Sequence, residues 1–80
     1  FPASTGGPEY IKAIKGPFPQ IKICPTGGVS LDNMKAFLKA GASCLGVGGR
    51  LVDANLIKNQ KWDDLTSIAK EYVAQLSNEL

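Results

Sequence analysis

Apolar positions in this chain follow helical spacing in four stretches, and two short extended-looking runs lie between them. The first helical stretch begins near Pro8, whose missing N–H costs nothing in a first turn, and ends at Gly16-Pro17. The second follows Ser30, a favourable N-cap, has Asp32 in its first turn, and ends at Gly41. These signals predict two helices separated by a segment of strand character.

Two more helices are predicted in the last third of the chain. A short one covers about residues 50–58, and the polar break at residues 59–61 separates it from a longer one with acidic residues in its first turn. The long helix carries one continuous apolar stripe: Trp62, Leu65, Ile68, Ala69, Tyr72, Val73 and Leu76. The stripe predicts packing against a sheet.

Strands are predicted at residues 20–24 and 42–47, which gives the order helix, strand, helix, strand, helix, helix. Strands joined by helices of this length form right-handed parallel crossovers, so the expected fold class is α/β. A parallel sheet is stable only with both faces covered. Two strands cannot achieve this, and we expect residues 1–80 to belong to a larger sheet and to fold poorly alone.

Composition excludes several classes of partner. The chain has 80 residues, is 44% hydrophobic and 20% charged, and carries a net charge of +2 from scattered lysines, which predicts no nucleic-acid partner. No apolar run approaches the ~18 residues of a membrane span. Cys24 and Cys44 occur without any histidine, so no metal site is predicted. We expect buried, reduced thiols in a cytoplasmic protein, with a disulfide as the alternative.

Two glycine turns carry the candidate chemistry. Thr26-Gly27-Gly28 follows the first predicted strand, and Gly46-Val47-Gly48-Gly49 ends the second. Glycine permits positive φ and close backbone approach, and N–H groups at a helix start bind phosphate. In (β/α)₈ barrels a phosphate site lies at the loops after strands seven and eight, beside a short extra helix, which residues 50–58 match. The alternative is a pair of tight turns without a ligand.

Arg50 directly follows the second glycine turn, and two roles are open to it. It can donate to the phosphate, or it can pair with Asp53 on the exposed side of the short helix. Catalytic groups are not apparent: the chain has no histidine, and no carboxylate or lysine is predicted at the carboxyl end of a strand. These residues predict phosphate binding without a complete catalytic set.

Five short motifs resemble, in order and spacing, the C-terminal part of the 2-keto-3-deoxy-6-phosphogluconate / 4-hydroxy-2-oxoglutarate (KDPG/KHG) aldolases. They are Phe1-Pro2-Ala3, Gly6-Gly7, Gly16-Pro17, Pro25-Thr26-Gly27-Gly28-Val29 and Gly46-Val47-Gly48-Gly49. The resemblance covers essentially the whole chain. It implies that residues 1–80 form the C-terminal portion of a single (β/α)₈ TIM barrel, from the end of strand six to strand eight.

The resemblance also implies an activity. That family is a class I aldolase, usually a homotrimer, without a metal or other cofactor. It cleaves 2-keto-3-deoxy-6-phosphogluconate to pyruvate and glyceraldehyde 3-phosphate, or 4-hydroxy-2-oxoglutarate to pyruvate and glyoxylate, through a lysine Schiff base. The lysine is expected two positions before Phe1, outside this chain, which alone is expected to be inactive.

Site residues follow from the same resemblance. Phe1 would line the pyruvate pocket, and the phosphate end of the substrate would contact Thr26, Gly27 and Gly28, with Gly48 and Gly49 opposite. Arg50 is a further candidate donor to the phosphate because of its position after Gly49, and not because of the resemblance. Two other readings stay open at this point: another phosphosugar barrel, such as an epimerase or a thiamin-phosphate synthase, and a non-catalytic phosphate-binding fragment.

Overall fold

In the computed structural model, which describes residues 1–79, helices pack against two adjacent extended segments. A 3₁₀ turn covers Ala3–Thr5, and the α-helices are α1 (Gly7–Lys15), α2 (Met34–Ala40), α3 (Ala54–Lys58) and α4 (Trp62–Glu79). Helix α2 packs against both α1 and α4, and α3 packs against α4. A bilayer-spanning helix, which needs length and an apolar surface together, does not occur among these.

Glycine ends the first two helices, as the sequence predicts. The Gly16 N–H donates to the Lys12 carbonyl at 3.2 Å, and the Gly41 N–H donates to the carbonyls of Leu38 and Phe37. Gly41 has a φ of 115°, in the left-handed region where a side chain is unfavourable. The C-terminal signals in the sequence therefore located both ends correctly.

The predicted start of α2 is wrong. The helix begins at Met34 rather than directly after Ser30, so Asp32 precedes the helix instead of lying in its first turn. The Ser30 carbonyl accepts the N–H groups of Asn33 and Met34 at 3.2 and 2.9 Å. Asn33 Oδ1 in turn accepts the Ser30 N–H at 2.9 Å. Residues 30–33 thus form a turn of their own ahead of the helix, and this side-chain bond closes it.

The predicted start of α3 at Arg50 is also wrong, because Asp53 caps a shorter helix. Asp53 Oδ1 accepts the N–H groups of Asn55 at 2.8 Å and Leu56 at 3.1 Å, and the helix begins at Ala54. A carboxylate in this position satisfies amide donors that have no partner within the helix.

Helix α4 begins at Trp62 as predicted but buries only part of its apolar stripe. Trp62 is 55% exposed and Val73 is 63% exposed. The rest of the stripe is buried or half-buried: Leu65, Ile68, Ala69, Tyr72 and Leu76. Within residues 1–79 the stripe therefore packs along one side and leaves Trp62 and Val73 open.

The predicted strands at residues 20–24 and 42–47 are not formed as strands within the described part of the chain. An isolated parallel bridge joins Thr26 to Gly46. The expected parallel direction and adjacency of the two segments are confirmed, but their regular sheet structure is not.

Pro25 gives the physical reason for the missing ladder. The Gly46 N–H donates to the Pro25 carbonyl at 2.8 Å, and the Ser43 N–H donates to the Ile23 carbonyl at 2.9 Å. In a regular parallel pair, the next hydrogen bond toward the start of the segments would be donated by the N–H of residue 25. Proline has no N–H, so this bond cannot form. The two bonds therefore enclose one residue on the first segment, Cys24, and two on the second, Cys44 and Leu45.

The expectation that Cys24 and Cys44 are buried is wrong: both are exposed free thiols. The side chains that pack against the helices are instead the neighbouring Ile23, Leu45 and Val47. Because side chains alternate along an extended segment, the thiols extend away from the helical core.

The buried core joins three helices and the loop before α2. Its residues are Ile11, Val29, Met34, Phe37 and Tyr72. Phe37 is only 1% exposed, and α1, α2 and α4 all contribute to the same cluster. This cluster is what fixes α2 behind the extended segments.

We expect Phe37→Ala to lower the free energy of unfolding by about 3–5 kcal/mol, because it leaves a cavity in the core. Phe18→Ala is the matched control, since Phe18 is 50% exposed, and it should cost less than about 1 kcal/mol. Urea denaturation of the natural, untruncated protein measures both values. Equal losses for the two variants would contradict the assignment of the core.

Candidate functional site

The two glycine turns begin at one edge of the paired segments. Thr26 and Gly46 pair in parallel, and each segment then continues into its turn, Gly27-Gly28 on one side and Gly48-Gly49 on the other. Neighbouring parallel segments lie about 4.8 Å apart. The structure therefore brings the two predicted phosphate-contacting turns together.

Glycine is required at both positions of the first turn. Gly27 and Gly28 have φ values of 95° and 83°, in the region that side chains disfavour. A Cβ on Gly27 would lie 2.9 Å from Phe1 Cε2 and 2.9 Å from Pro2 Cα, and a Cβ on Gly28 would lie 2.6 Å from Ser4 Cβ. The turn thus combines an unusual backbone with close approach of the N-terminal segment.

The N-terminal segment lies alongside this turn. The Ala3 N–H donates to the Thr26 carbonyl at 2.8 Å, and the Ser4 N–H donates to the Gly27 carbonyl at 3.0 Å. Phe1 reaches Gly27 and is 97% exposed. The structure therefore places Phe1 beside the first glycine turn, on the side away from the second extended segment.

Asn33 is a residue of this region that the sequence analysis did not identify. Its Nδ2 donates to the Gly28 carbonyl at 2.8 Å, and its Oδ1 accepts the Ser30 N–H at 2.9 Å. One amide side chain thus holds both ends of the segment that follows the glycine pair. The spacing Ser-x-x-Asn, close to a capping box, was the available signal.

The second turn is more open than the first. Neither Gly48 nor Gly49 has positive φ, and a Cβ on either would meet no atom within 4 Å. The Gly48 carbonyl accepts the N–H groups of Leu51 and Val52 at 2.9 and 2.8 Å, which curls the chain toward α3. Contrary to expectation, residues 1–79 impose no conformational need for glycine here, and the space beside the turn is free for a ligand.

Arg50 is exposed and forms no ion pair with Asp53 among the described residues. The Asp53 carboxylate caps α3 instead. Of the two roles left open for Arg50, the pairing with Asp53 is thus absent from this structure. Its guanidinium extends from the residue next to Gly49 and is available to an anion.

Loop amides, not helix ends, are the donors at this edge. Helices α2 and α3 begin at Met34 and Ala54, several residues beyond the glycine turns. Within residues 1–79, no protein acceptor takes the N–H groups of Gly28 and Gly49. The prediction that helix N-termini lie directly at the turns is therefore wrong. The backbone N–H groups of the turns are still candidate donors, because successive loop amides can hold an anion without a helix dipole.

The Thr26 hydroxyl is turned back toward its own segment. Its Oγ1 donates to the Cys24 carbonyl at 3.2 Å and lies 3.8 Å from Cys24 Sγ. A Cβ on Gly46 would overlap the Thr26 side chain. Thr26 therefore occupies the space that glycine leaves at Gly46, which links the two segments directly before their turns.

A separate cleft lies away from the glycine turns. A cleft of about 570 Å³ opens between α1, the N-terminal segment and residues 23–25, with a mainly apolar lining, and it includes neither glycine turn. A group of three or more His, Cys, Asp or Glu side chains able to hold a metal does not occur in the described part of the chain. The candidate anion site is an open surface at the segment ends.

Paired glycine turns at the ends of adjacent parallel segments, with free amides and an arginine, form a candidate anion site. The family model for KDPG and KHG aldolase matches residues 1–68. The chain belongs to this aldolase family, whose fold is a TIM barrel.

Curated relatives agree with this assignment. The chain is 46% identical over 76 residues to a 2-dehydro-3-deoxy-phosphogluconate aldolase of Dickeya dadantii, covering 92% of this chain and 35% of that protein. It is 43% identical over 75 residues to a KHG/KDPG aldolase of Escherichia coli K12, covering 91% and 35%. A 2-dehydro-3-deoxy-6-phosphogalactonate aldolase of the same strain is 33% identical over 73 residues, covering 90% and 36%. The chain thus spans about a third of the length of these relatives.

We expect Asn33→Ala to speed amide hydrogen exchange at Ser30 about fivefold or more, because a hydrogen bond worth about 1 kcal/mol is lost. Asn33→Asp keeps the acceptor for Ser30 but loses the donor to Gly28, so it should leave Ser30 protected. Asp32→Ala, an exposed neighbour, serves as the control. Unchanged protection of Ser30 in Asn33→Ala would show that this side chain does not hold the turn.

Proposed function

We propose that the protein is a class I aldolase and that residues 1–80 form the phosphate side of its barrel. The reaction is cleavage of 2-keto-3-deoxy-6-phosphogluconate to pyruvate and glyceraldehyde 3-phosphate, of 4-hydroxy-2-oxoglutarate to pyruvate and glyoxylate, or of both. The observation that carries the proposal is the Thr26–Gly46 pairing, which brings both glycine turns to one edge in a chain of this family.

The topology of the described residues supports placement at the C-terminal end of a TIM barrel. Three chain segments lie side by side: the N-terminal segment bonds to Thr26, and Thr26 pairs in parallel with Gly46. In this proposal they are the end of strand six, strand seven and strand eight. Their incomplete ladder and the open side of α4, with Val73 63% exposed, fit segments that need neighbours to complete a sheet and its helical cover.

The phosphate end of the substrate lies at the two turns. The free N–H groups of Gly28 and Gly49 donate to phosphate oxygens, and the Arg50 guanidinium adds a charged donor. Thr26 and Gly27 form the wall of the turn, with Gly48 opposite. Since Gly27 and Gly28 hold positive φ before substrate arrives, the first turn is already shaped for the anion.

The pyruvate end lies beside Phe1. The Phe1 ring contacts the Gly27 position from the N-terminal segment, which places it next to the phosphate-binding turn. The Schiff-base lysine is two positions before Phe1, and it forms the covalent link with pyruvate. Residues 1–80 contain no complete catalytic set and are inactive on their own. In this proposal they bind the substrate, and the catalytic groups precede them in the sequence.

The relatives are named for different keto acids, so their names do not identify the substrate of this protein. One relative is named for the phosphogluconate acid, one for both acids and one for the phosphogalactonate acid. A free guanidinium next to Gly49 favours a phosphorylated substrate, because it adds a cation where the phosphate lies. We further propose a cytoplasmic homotrimer. Family membership favours the aldolase over an epimerase, a thiamin-phosphate synthase or a non-catalytic fragment.

Borohydride trapping tests the proposal. Treatment of the natural, untruncated protein with pyruvate and borohydride should reduce the imine to a stable adduct, and peptide mapping should place the adduct on a lysine two positions before Phe1. Lys22→Arg is the matched control, because Lys22 is a lysine on an extended segment of this chain, and the variant should still be trapped. Absence of any adduct, or an adduct on Lys22, would contradict the proposed chemistry.

A further inference from the structure

Two peptide units of the first glycine turn are held in place through their carbonyl groups. The Gly27 carbonyl accepts the Ser4 N–H at 3.0 Å, and the Gly28 carbonyl accepts Asn33 Nδ2 at 2.8 Å. A peptide unit is planar and trans, so its N–H points opposite to its carbonyl. The bond from Ser4 therefore directs the Gly28 N–H away from the N-terminal segment. The bond from Asn33 directs the Val29 N–H away from the start of α2.

Val29 contributes an amide donor that no acceptor within residues 1–79 takes. Its side chain belongs to the core and the residue is only 2% exposed. Nearly all backbone donors of buried residues are hydrogen-bonded, because an unpaired one costs free energy. The neighbouring Gly28 N–H is also without an acceptor in the same part of the chain. Two successive free amides in a turn are typical of an anion-binding concavity.

We propose that the Val29 N–H is a further donor to the phosphate and that Asn33 is the positioning residue that aims it. The inference rests on the proposed function, in which the phosphate end of the substrate lies at this turn. Asn33 is half-buried, and its Oδ1 accepts the Ser30 N–H at 2.9 Å, so both ends of its amide are held. A neutral amide suits this role, because it donates to a carbonyl without placing a negative charge beside the anion.

The donor and the side chain that aims it are attached to one core. Val29 and Met34, which directly follows Asn33, are both 2% exposed and belong to the same cluster. Between them, the Leu31 carbonyl accepts Gln75 Nε2 of α4 at 2.7 Å. The segment is therefore ordered before the anion arrives, so phosphate binding does not have to order it.

Phosphate titration of the natural, untruncated protein, followed by amide NMR shifts, tests the assignment. The Gly28 and Val29 amides should shift saturably with one dissociation constant for inorganic phosphate. Asn33→Ala should raise that constant about fivefold or more, because the bond that orients the Val29 amide is lost. Asn59→Ala is the matched control, since Asn59 is exposed at the far end of α3, and it should leave the constant unchanged. An unshifted Val29 amide, or an unchanged constant in Asn33→Ala, would overturn the proposal.

Borohydride trapping of pyruvate separates positioning from a general loss of structure, because this reaction needs no phosphate. Asn33→Ala should be trapped at the rate of the natural protein while its affinity for phosphate falls. A parallel loss of trapping and of phosphate affinity would give Asn33 a structural role only and overturn the proposal. Absence of trapping in the natural protein would contradict the aldolase chemistry instead, and the phosphate titration would still decide the roles of Val29 and Asn33.

Discussion

The pairing of Thr26 with Gly46 is the constraint on which the candidate site depends. It sets two chain segments side by side and in the same direction, so that each enters its glycine turn from the same edge. The absence of a side chain at Gly46 makes room for Thr26, and Pro25 supplies the carbonyl that the Gly46 N–H needs. Without this contact the two turns would be unrelated loops, and an anion would meet only half of the donors.

Side chains that bond to the backbone then determine where the helices begin. Asn33 closes a turn between the first glycine pair and α2, and Asp53 caps α3 beyond the second. The two helices begin at Met34 and Ala54, beyond the glycine turns, so the candidate donors of the site are loop amides. Gln75 Nε2 adds a bond of 2.7 Å to the Leu31 carbonyl, so α4 also holds the segment between the turn and α2.

The sequence predicted those features of the structure that a single residue determines, such as the end of a helix at a glycine. Glycine at the end of α2 and the start of α4 at Trp62 are of this kind, and the family motifs gave the correct family. The errors concern competition between residues. Ser30 is a good cap in isolation, but the helix begins four residues later, at Met34. The predicted strands fail because Pro25 cannot donate at the position where the ladder must continue. The thiols are exposed because the alternation of each segment turns Ile23 and Leu45 to the core.

The central claim is that one phosphate is held jointly by the two turns. Titration of the natural, untruncated protein with inorganic phosphate, followed by amide NMR shifts, tests it most directly. If the two turns hold one phosphate jointly, the Gly28 and Gly49 amides should shift saturably with one common dissociation constant. Binding should be weakened in Arg50→Ala and unchanged in Lys58→Ala, whose lysine lies at the far end of α3. Shifts at one turn only, or at neither, would contradict it.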